Sequence, residues 1–363
     1  MRPAILFLFF RTLLPGQDDL DEWIRSGQTS YSKGNYTASQ TMFAEAWKLA
    51  ETLPSDDPKR YAILKLQAAA SSALGQYQEA EAFIQLAINW REVSIGREDP
   101  NIAGDLTEVA MLCRAMKDLD RGLAVLQRVA SIHSRQPSDQ LLLADDYSRI
   151  AQFYDEDKKA DEVIRPLRTA IEIREKALGV DHPALLGDLD RLAVAFVKLS
   201  EYENAAPVYL RALVIRERII GRESADLIPN IDGLAYAYFG LKKYQEAESV
   251  YLRLLQLWES SFGGEHPMVA LTLDKIAVFY RAQEKFDEAR IAGERATIVR
   301  EKFLAGGLRR EADELVSRGE RKAAAPIYDR ALSVLETHRD GNETMIRDIE
   351  KQIEKMKTPP RRK

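Results

Sequence analysis

"LGVDHPALLGDLDRLA", residues Leu178 to Ala193, sets an acid and a histidine before a proline and then runs into mixed apolar and charged residues. Alone it would pass for the start of a metal or catalytic site. It is not alone. "IGREDPNIAGDLTEVA" (Ile95–Ala110), "IGRESADLIPNIDGLA" (Ile220–Ala235) and "FGGEHPMVALTLDKIA" (Phe262–Ala277) repeat its plan, and the closing alanines of the last three copies stand 42 residues apart. A fixed period of that length marks stacked units of one architecture.

A second block keeps the same phase. "EYENAAPVYLRALVIRE" (Glu201–Glu217) matches "KYQEAESVYLRLLQLWE" (Lys243–Glu259), and one register position recurs at Ala46, Ala87, Val129, Ala170, Ala212, Leu254, Ala296 and Ala331. The steps are 41, 42, 41, 42, 42, 42 and 35, which gives eight repeats. Both blocks have helical periodicity: Leu189, Leu192, Ala193 and Phe196 form one stripe, and Ala205, Tyr209, Ala212 and Ile215 form another. No segment alternates with period two, so an all-α fold is expected. Pro166, Pro207 and Pro326 fall early in second helices, where a missing N–H costs least. Gly263-Gly264 and Gly306-Gly307 are read as helix-ending turns.

Trp23, Gly27, Tyr36, Phe43 and Ala46, and again Ala235, Tyr238, Tyr244, Ala247 and Tyr251, resemble the large and small positions of the tetratricopeptide repeat. The 42-residue period with its acid-His-Pro loop is similar to the longer repeat of kinesin light chains and their bacterial relatives. The resemblance implies a TPR α-solenoid, a right-handed superhelix of antiparallel helix pairs, over residues 18–339, with the first helix of each pair on the concave side. "MIRDIEKQIEKMK" (Met345–Lys357) places Ile346, Ile349, Ile353 and Met356 on one stripe, which reads as a capping helix over 340–358, followed by a basic tail at 359–363.

Composition bounds the function. The chain has 363 residues, 52 basic and 57 acidic, for a net charge of −5, so no nucleic-acid partner is expected. The single cysteine, Cys113, excludes an intramolecular disulfide and reads as a buried thiol. Residues 1–17 begin with Arg2 and the apolar run Ala4–Phe10, the outline of a signal peptide, and imply export to the periplasm or beyond. The alternative is a cytoplasmic chain with an apolar leader. No segment is long enough to span a membrane. "GNYT" and "NET", at Asn35 and Asn342, match glycosylation sequons but carry little information.

The acid of the joint recurs in six loops, as Asp56, Glu98, Asp139, Asp181, Glu223 and Glu265, whereas the position of His182 holds Asp57, Asp99, Gln140, Ser224 and His266 elsewhere. The acid is therefore expected to cap the following helix. Its histidine is the variable part, and no metal or cofactor is expected. No catalytic set survives alignment of the repeats, so the chain is not expected to be an enzyme. Outward positions of the first helices hold Ser148-Arg149, Asp190-Arg191, Asp232-Gly233 and Asp274-Lys275, then Gln152, Val194, Tyr236 and Val278, then Arg281.

Two readings of these columns stand together: an inter-repeat ion-pair ladder, or a polar groove for a peptide or protein partner. The partner-binding candidates are Arg149, Gln152, Asp190, Arg191, Val194, Asp232, Tyr236, Asp274, Lys275 and Arg281. Kinesin light chains often carry paired asparagines where this chain has Asp190-Arg191, Asp232-Gly233 and Asp274-Lys275, so their ligand preference does not carry over. The competing function is a structural spacer, or a scaffold that self-associates through the solenoid ends.

Overall fold

The structure is a computed structural model that describes residues 17–357; the leader and the basic tail lie outside the described residues. Among these residues every regular element is helical. The chain divides into two compact units, residues 1–180 and 181–363. The first holds α1 (Gln17–Ser32), α2 (Tyr36–Ala50), α3 (Pro58–Ala73), α4 (Tyr77–Ile95), α5 (Ala103–Ala115), α6 (Leu119–Ser134), α7 (Gln140–Glu156) and α8 (Ala160–Leu178). The second holds α9 (Leu186–Lys198), α10 (Tyr202–Ile220), α11 (Ile228–Gly240), α12 (Tyr244–Phe262), α13 (Pro267–Ala282), α14 (Phe286–Ser317), α15 (Arg321–Leu335) and α16 (Arg339–Lys357). Within each unit successive helices pack on one another.

The pairs close by one device. Each within-repeat turn contains one left-handed residue: Gly34, Gly75, Lys117 and Lys158 in the first unit, then Ser200, Lys242, Glu284 and Gly319 in the second. The next residue's N–H reaches back to the carbonyl five positions earlier, as from Gln76 to Ser71 (2.9 Å) and from Glu201 to Phe196 (2.8 Å). This closure satisfies helix-end carbonyls. The register position, from Ala46 to Ala331, is only 0–1% exposed in all eight repeats, which lets the two helices of a pair meet. Cys113 is buried, and burial pushes its thiol up from the ordinary value. Asn342 is buried as well, donating to Glu301 (2.8 Å) and to the Leu335 carbonyl (3.1 Å).

The joints between repeats differ from the expectation. The capping side chain is the residue after the constant acid. Asp57 accepts from the Lys59 N–H (2.8 Å), Asp99 from Asn101 (2.9 Å), His182 Nδ1 from Ala184 (3.2 Å), Ser224 from Asp226 (3.3 Å) and His266 Nδ1 from Met268 (3.2 Å). These residues are extended, and in four of the five joints proline follows directly and opens the helix. In these five joints the acid stands one residue too far out to reach the free N–H groups, and in the sixth Asp139 stands at the N-cap of α7 but its side chain accepts none of them. Asp181 instead pairs with Arg218 (2.5 Å). An Nδ1 acceptor requires the Nε2–H tautomer, so the histidine caps only while neutral.

The second correction concerns Gly306-Gly307. They lie inside α14, which runs unbroken for 32 residues. That length is the sum of one 19-residue second helix, as in α10, and one 13-residue first helix, as in α9. The short step of 35 removes seven residues, the length of a joint such as 221–227, and the two helices fuse. Seven residues are close to two helical turns, so Ala305 and Ala312 keep one buried face. Pro166, Pro207 and Pro326 also lie inside their helices, past the first turn. Along the last repeat, Ile346, Ile349, Ile353 and Met356 of α16 pack with Tyr328 and Leu335 of α15 and with Leu308 and Ala312 of α14.

Two outcomes follow. Replacing His182 or His266 with Ala removes a cap and lowers stability by about 0.5–2 kcal/mol, whereas Asp in the same place retains it; melting temperatures of the four variants measure this. A Cβ at Gly306 or Gly307 meets no atom within 4 Å and neither glycine has positive φ. Gly306→Ala and Gly307→Ala therefore stabilise by up to about 1 kcal/mol each, seen as a raised midpoint of urea unfolding. Destabilisation would show that a turn, not a helix, occupies these positions.

Candidate functional site

A polar register runs through the otherwise apolar packing. On the first helices it holds Asp105, Asp146 and Asp188, then Asn230 and Thr272, all buried. The matching register of the second helices holds Arg91, His133 and Arg174 in the first unit and Arg216 and Trp258 in the second. A buried carboxylate is expensive unless paired. In the first unit, Asp105 accepts from Tyr61 (2.8 Å) and Lys65 (2.9 Å) and lies 3.4 Å from Arg91. Asp146, 0% exposed, meets His133 Nδ1 at 2.5 Å and Arg149 at 3.3 Å. Burial raises the Asp146 carboxyl, while the His133 contact opposes that shift.

The same second-helix cations also reach the first helix of their own repeat. Arg174 holds Asp145 (2.5 Å) and Ser148 (2.9 Å). Arg216 holds Asp190 (2.6 Å) together with Asn230, whose amide donates to Asp190 (2.6 Å). Arg300 holds Asp274 (2.6 Å). Repeat six breaks the pattern. Trp258 stands where Arg174, Arg216 and Arg300 stand, so Asp232 has no cation in its own repeat and is taken by Lys275 (2.6 and 2.7 Å) of the next. Gly233 stands where Arg191 and Lys275 stand, and a Cβ there would meet the Tyr209 ring at 2.3 Å.

These two departures coincide with a cavity of about 420 Å³, lined by Asp232, Gly233, Tyr236, Phe239, Tyr251, Asp274, Lys275 and Val278. Tyr236, Phe239, Tyr251 and Val278 make its walls largely apolar. Tyr251 is 3% exposed, and its hydroxyl finds no hydrogen-bond partner among the described residues. Burial, with the Asp232 charge second, raises its phenol well above the usual range, so it remains a proton donor.

Of the sequence candidates, Asp232, Tyr236, Asp274 and Lys275 share this cavity. Asp190 belongs to the Arg216 network, Arg191 is half-buried on α9, and Val194 and Arg281 are exposed elsewhere on the second unit. Arg149 and Gln152 lie in the first unit: Arg149 pairs with Asp146, and Gln152, with its amide oxygen turned to Arg114, accepts from that guanidinium at 3.0 and 3.1 Å. Phe239 and Tyr251 were not among the candidates. Their signal lay in the alignment: the exchange of Arg for Trp258 on the second helix marks the same repeat. Among the described residues no group of three His, Cys, Asp or Glu side chains is placed to hold a metal ion. No described helix is long and apolar enough to cross a membrane.

Helix pairs closed by one turn and packed on one buried register define an α-helical repeat protein. Three tetratricopeptide-repeat family models match, over residues 147–184, 189–219 and 227–302, so the chain carries tetratricopeptide repeats there. No curated protein matches it in sequence. Among solved structures, the chain is similar to the C-terminal part of a TPR repeat-containing protein from Cytophaga hutchinsonii (14% identity, 76% of this chain and 95% of that one, TM-score 0.53). It is also similar to a STAND signal-transduction ATPase with a tetratricopeptide-repeat sensor from Pyrococcus horikoshii (13%, 85% and 44%, TM-score 0.54). The kinesin light chain TPR-like repeats of Podospora anserina align at 19% identity over 57% of this chain and 98% of that one, with a TM-score of 0.46. At these identities the likeness concerns the fold. Repeats of this family form protein-interaction and scaffold modules.

Two measurements test the site's physics. Arg216→Ala leaves Asp190 and the buried Asn230 short of a partner and costs about 1–3 kcal/mol, with coupling to Asp190→Ala in a double-mutant cycle. Burial, with Asp190 and then Asp232, pushes the Tyr209 phenol up to about 12. Its folded value lies above its unfolded value of about 10, so its contribution is full below pH 10 and is lost as pH rises through about 12. Tyr209→Phe flattens that alkaline decline in melting temperature, and an unchanged slope would assign it to other groups.

Proposed function

We propose that the second unit binds a peptide segment of a protein partner on its first-helix face, centred on repeats six and seven, without catalysing a reaction. The observation that carries this reading is the interruption of the ion-pair pattern at Gly233 and Trp258. It opens an apolar cavity where the other repeats place a charged side chain. A chain selected only to stack would gain from filling that space. Instead the cavity keeps an unpartnered hydroxyl on Tyr251 that a ligand carbonyl would satisfy, with Asp232, Lys275 and Asp274 at its rim. Its volume suits one large apolar side chain, with charged groups placed to meet the flanking backbone and side chains. The packing of α16 along the last repeat also favours this reading over assembly through that end. Export of the mature chain, implied by the leader, is part of the proposal and would place the partner outside the cytoplasm.

Val278 is an exposed wall residue, so Val278→Arg fills the cavity with little cost to the core. Tyr251→Phe removes only the hydroxyl. Peptides selected by display against the wild-type chain should lose at least tenfold in affinity for Val278→Arg and severalfold for Tyr251→Phe, by calorimetry, with the helical circular dichroism unchanged. Wild-type affinity in both variants would sink the reading.

A further inference from the structure

A second feature sits away from that cavity, at the joint of repeats six and seven. In two earlier joints the residue after the helix-ending glycine is an arginine that closes back on a glutamate: Arg97 on Glu92 (3.1 Å) and Arg222 on Glu217 (3.2 Å). A second arginine from the following repeat completes each clasp, Arg128 on Glu92 (2.7 Å) and Arg253 on Glu217 (2.6 Å), and each also donates to the loop carbonyl, at 3.0 Å to Arg97 and 2.9 Å to Arg222. At the joint of repeats six and seven the closing arginine is replaced by Gly264, as it is by Val180 after Gly179, and among the described residues Glu259 pairs with Arg295 alone.

The missing side chain leaves a cleft of about 470 Å³ between the end of α12 and the middle of α14. Phe262, 50% exposed, and Phe303, 49% exposed, flank it. Trp258 and His266 stack against each other behind Phe262, with ring centroids 5.1 and 5.2 Å from it. Lys302 and Arg310 line the α14 side and make no ion pair with a described residue, while Glu265 stands on the loop. Lys302, Gly306 and Arg310 are spaced i, i+4 and i+8, so they form one row with the cations about 12 Å apart along the helix. The glycine between them leaves a notch, open where a Cβ would stand.

We infer that this notch docks an acidic amphipathic helix of a protein partner. Two acidic residues eight positions apart span the same 12 Å or so and meet Lys302 and Arg310. One large apolar residue midway between them enters the notch at Gly306, between Phe262 and Phe303. Charge complementarity selects the acidic partner over a basic one, because the two unpaired cations outnumber Glu265. Close helix approach needs the small residue that the row supplies at its centre.

The probe is a synthetic helical peptide with Glu at i and i+8 and Phe at i+4, compared with its twin carrying Lys at both positions. Titrated into the full chain and followed by NMR, the Glu peptide should bind at least tenfold more tightly and shift Gly264, Phe303 and Gly306. Lys302→Glu with Arg310→Glu should reverse the preference, and Gly306→Leu should abolish binding without lowering the melting temperature. Val278→Arg, which fills the other cavity, should leave it unchanged, so the two proposals fail separately. Equal binding of the two peptides, no binding at millimolar concentration, or shifts confined to the other cavity would overturn the inference. So would a self-associated chain that the double reversal returns to monomer, which would assign the notch to a second copy.

Discussion

Stacking in this chain is constrained by carboxylates that must be buried. Asp105 and Asp146 occupy a register that an apolar residue would fill at lower cost, and each is stable only where cations or a hydroxyl-rich partner meet it. Apart from Arg149, one turn along from Asp146, their partners come from the preceding repeat, so that pairing is made only when neighbouring helices sit in one relative register. A slip along the helix axis would leave the charge buried and alone. Apolar surfaces of Ala and Leu tolerate such slips far better, since dispersion and burial are non-directional. The polar register therefore contributes specificity of stacking more than net stability.

Where the constraint ends, the surface changes character. From Arg216 to Trp258 the facing residue loses its charge, and from Asn230 to Thr272 the buried partner loses most of its demand for one. Repeats six and seven are then held by aromatic packing, with Phe279 near Tyr244, Tyr251 and Phe239 at 5.6 to 6.1 Å. Relieved of the buried charge, the first-helix face carries the cavity there, with the part-exposed Asp232–Lys275 pair beside it. Both features that set this region apart, Gly233 and Trp258, are departures from a pattern that the other repeats define.

Much of the fold was legible because repetition multiplies weak signals. A single Ala212 says little; the same position buried in eight repeats states the packing. Errors arose where one residue's offset or one deletion decided the geometry. The constant acid looked like the cap, yet the residue after it has the extended backbone that aims a side chain at the free N–H, and even histidine or serine serves there. The double glycine looked like a turn, but without the seven-residue joint nothing stops the helix, and glycine is a poor helix former rather than a terminator. The cavity was half legible. Its charged rim lies on the first helices, where outward positions can be counted, whereas Tyr251 reaches it from the second helix.

The ladder and the groove need not compete, because the pairs differ in how firmly they are held. Asp190 is gripped by a guanidinium and an amide that are themselves bonded to each other, so moving any member leaves buried polar atoms behind. Asp232 is held by one lysine, both side chains about one-third exposed. Such a pair contributes at most about 1 kcal/mol and opens at little cost. The ammonium is a flexible point charge that can turn to a ligand without leaving the helix. The columns of charge thus serve the stack where they are networked and remain exchangeable beside the cavity, where a partner would need them.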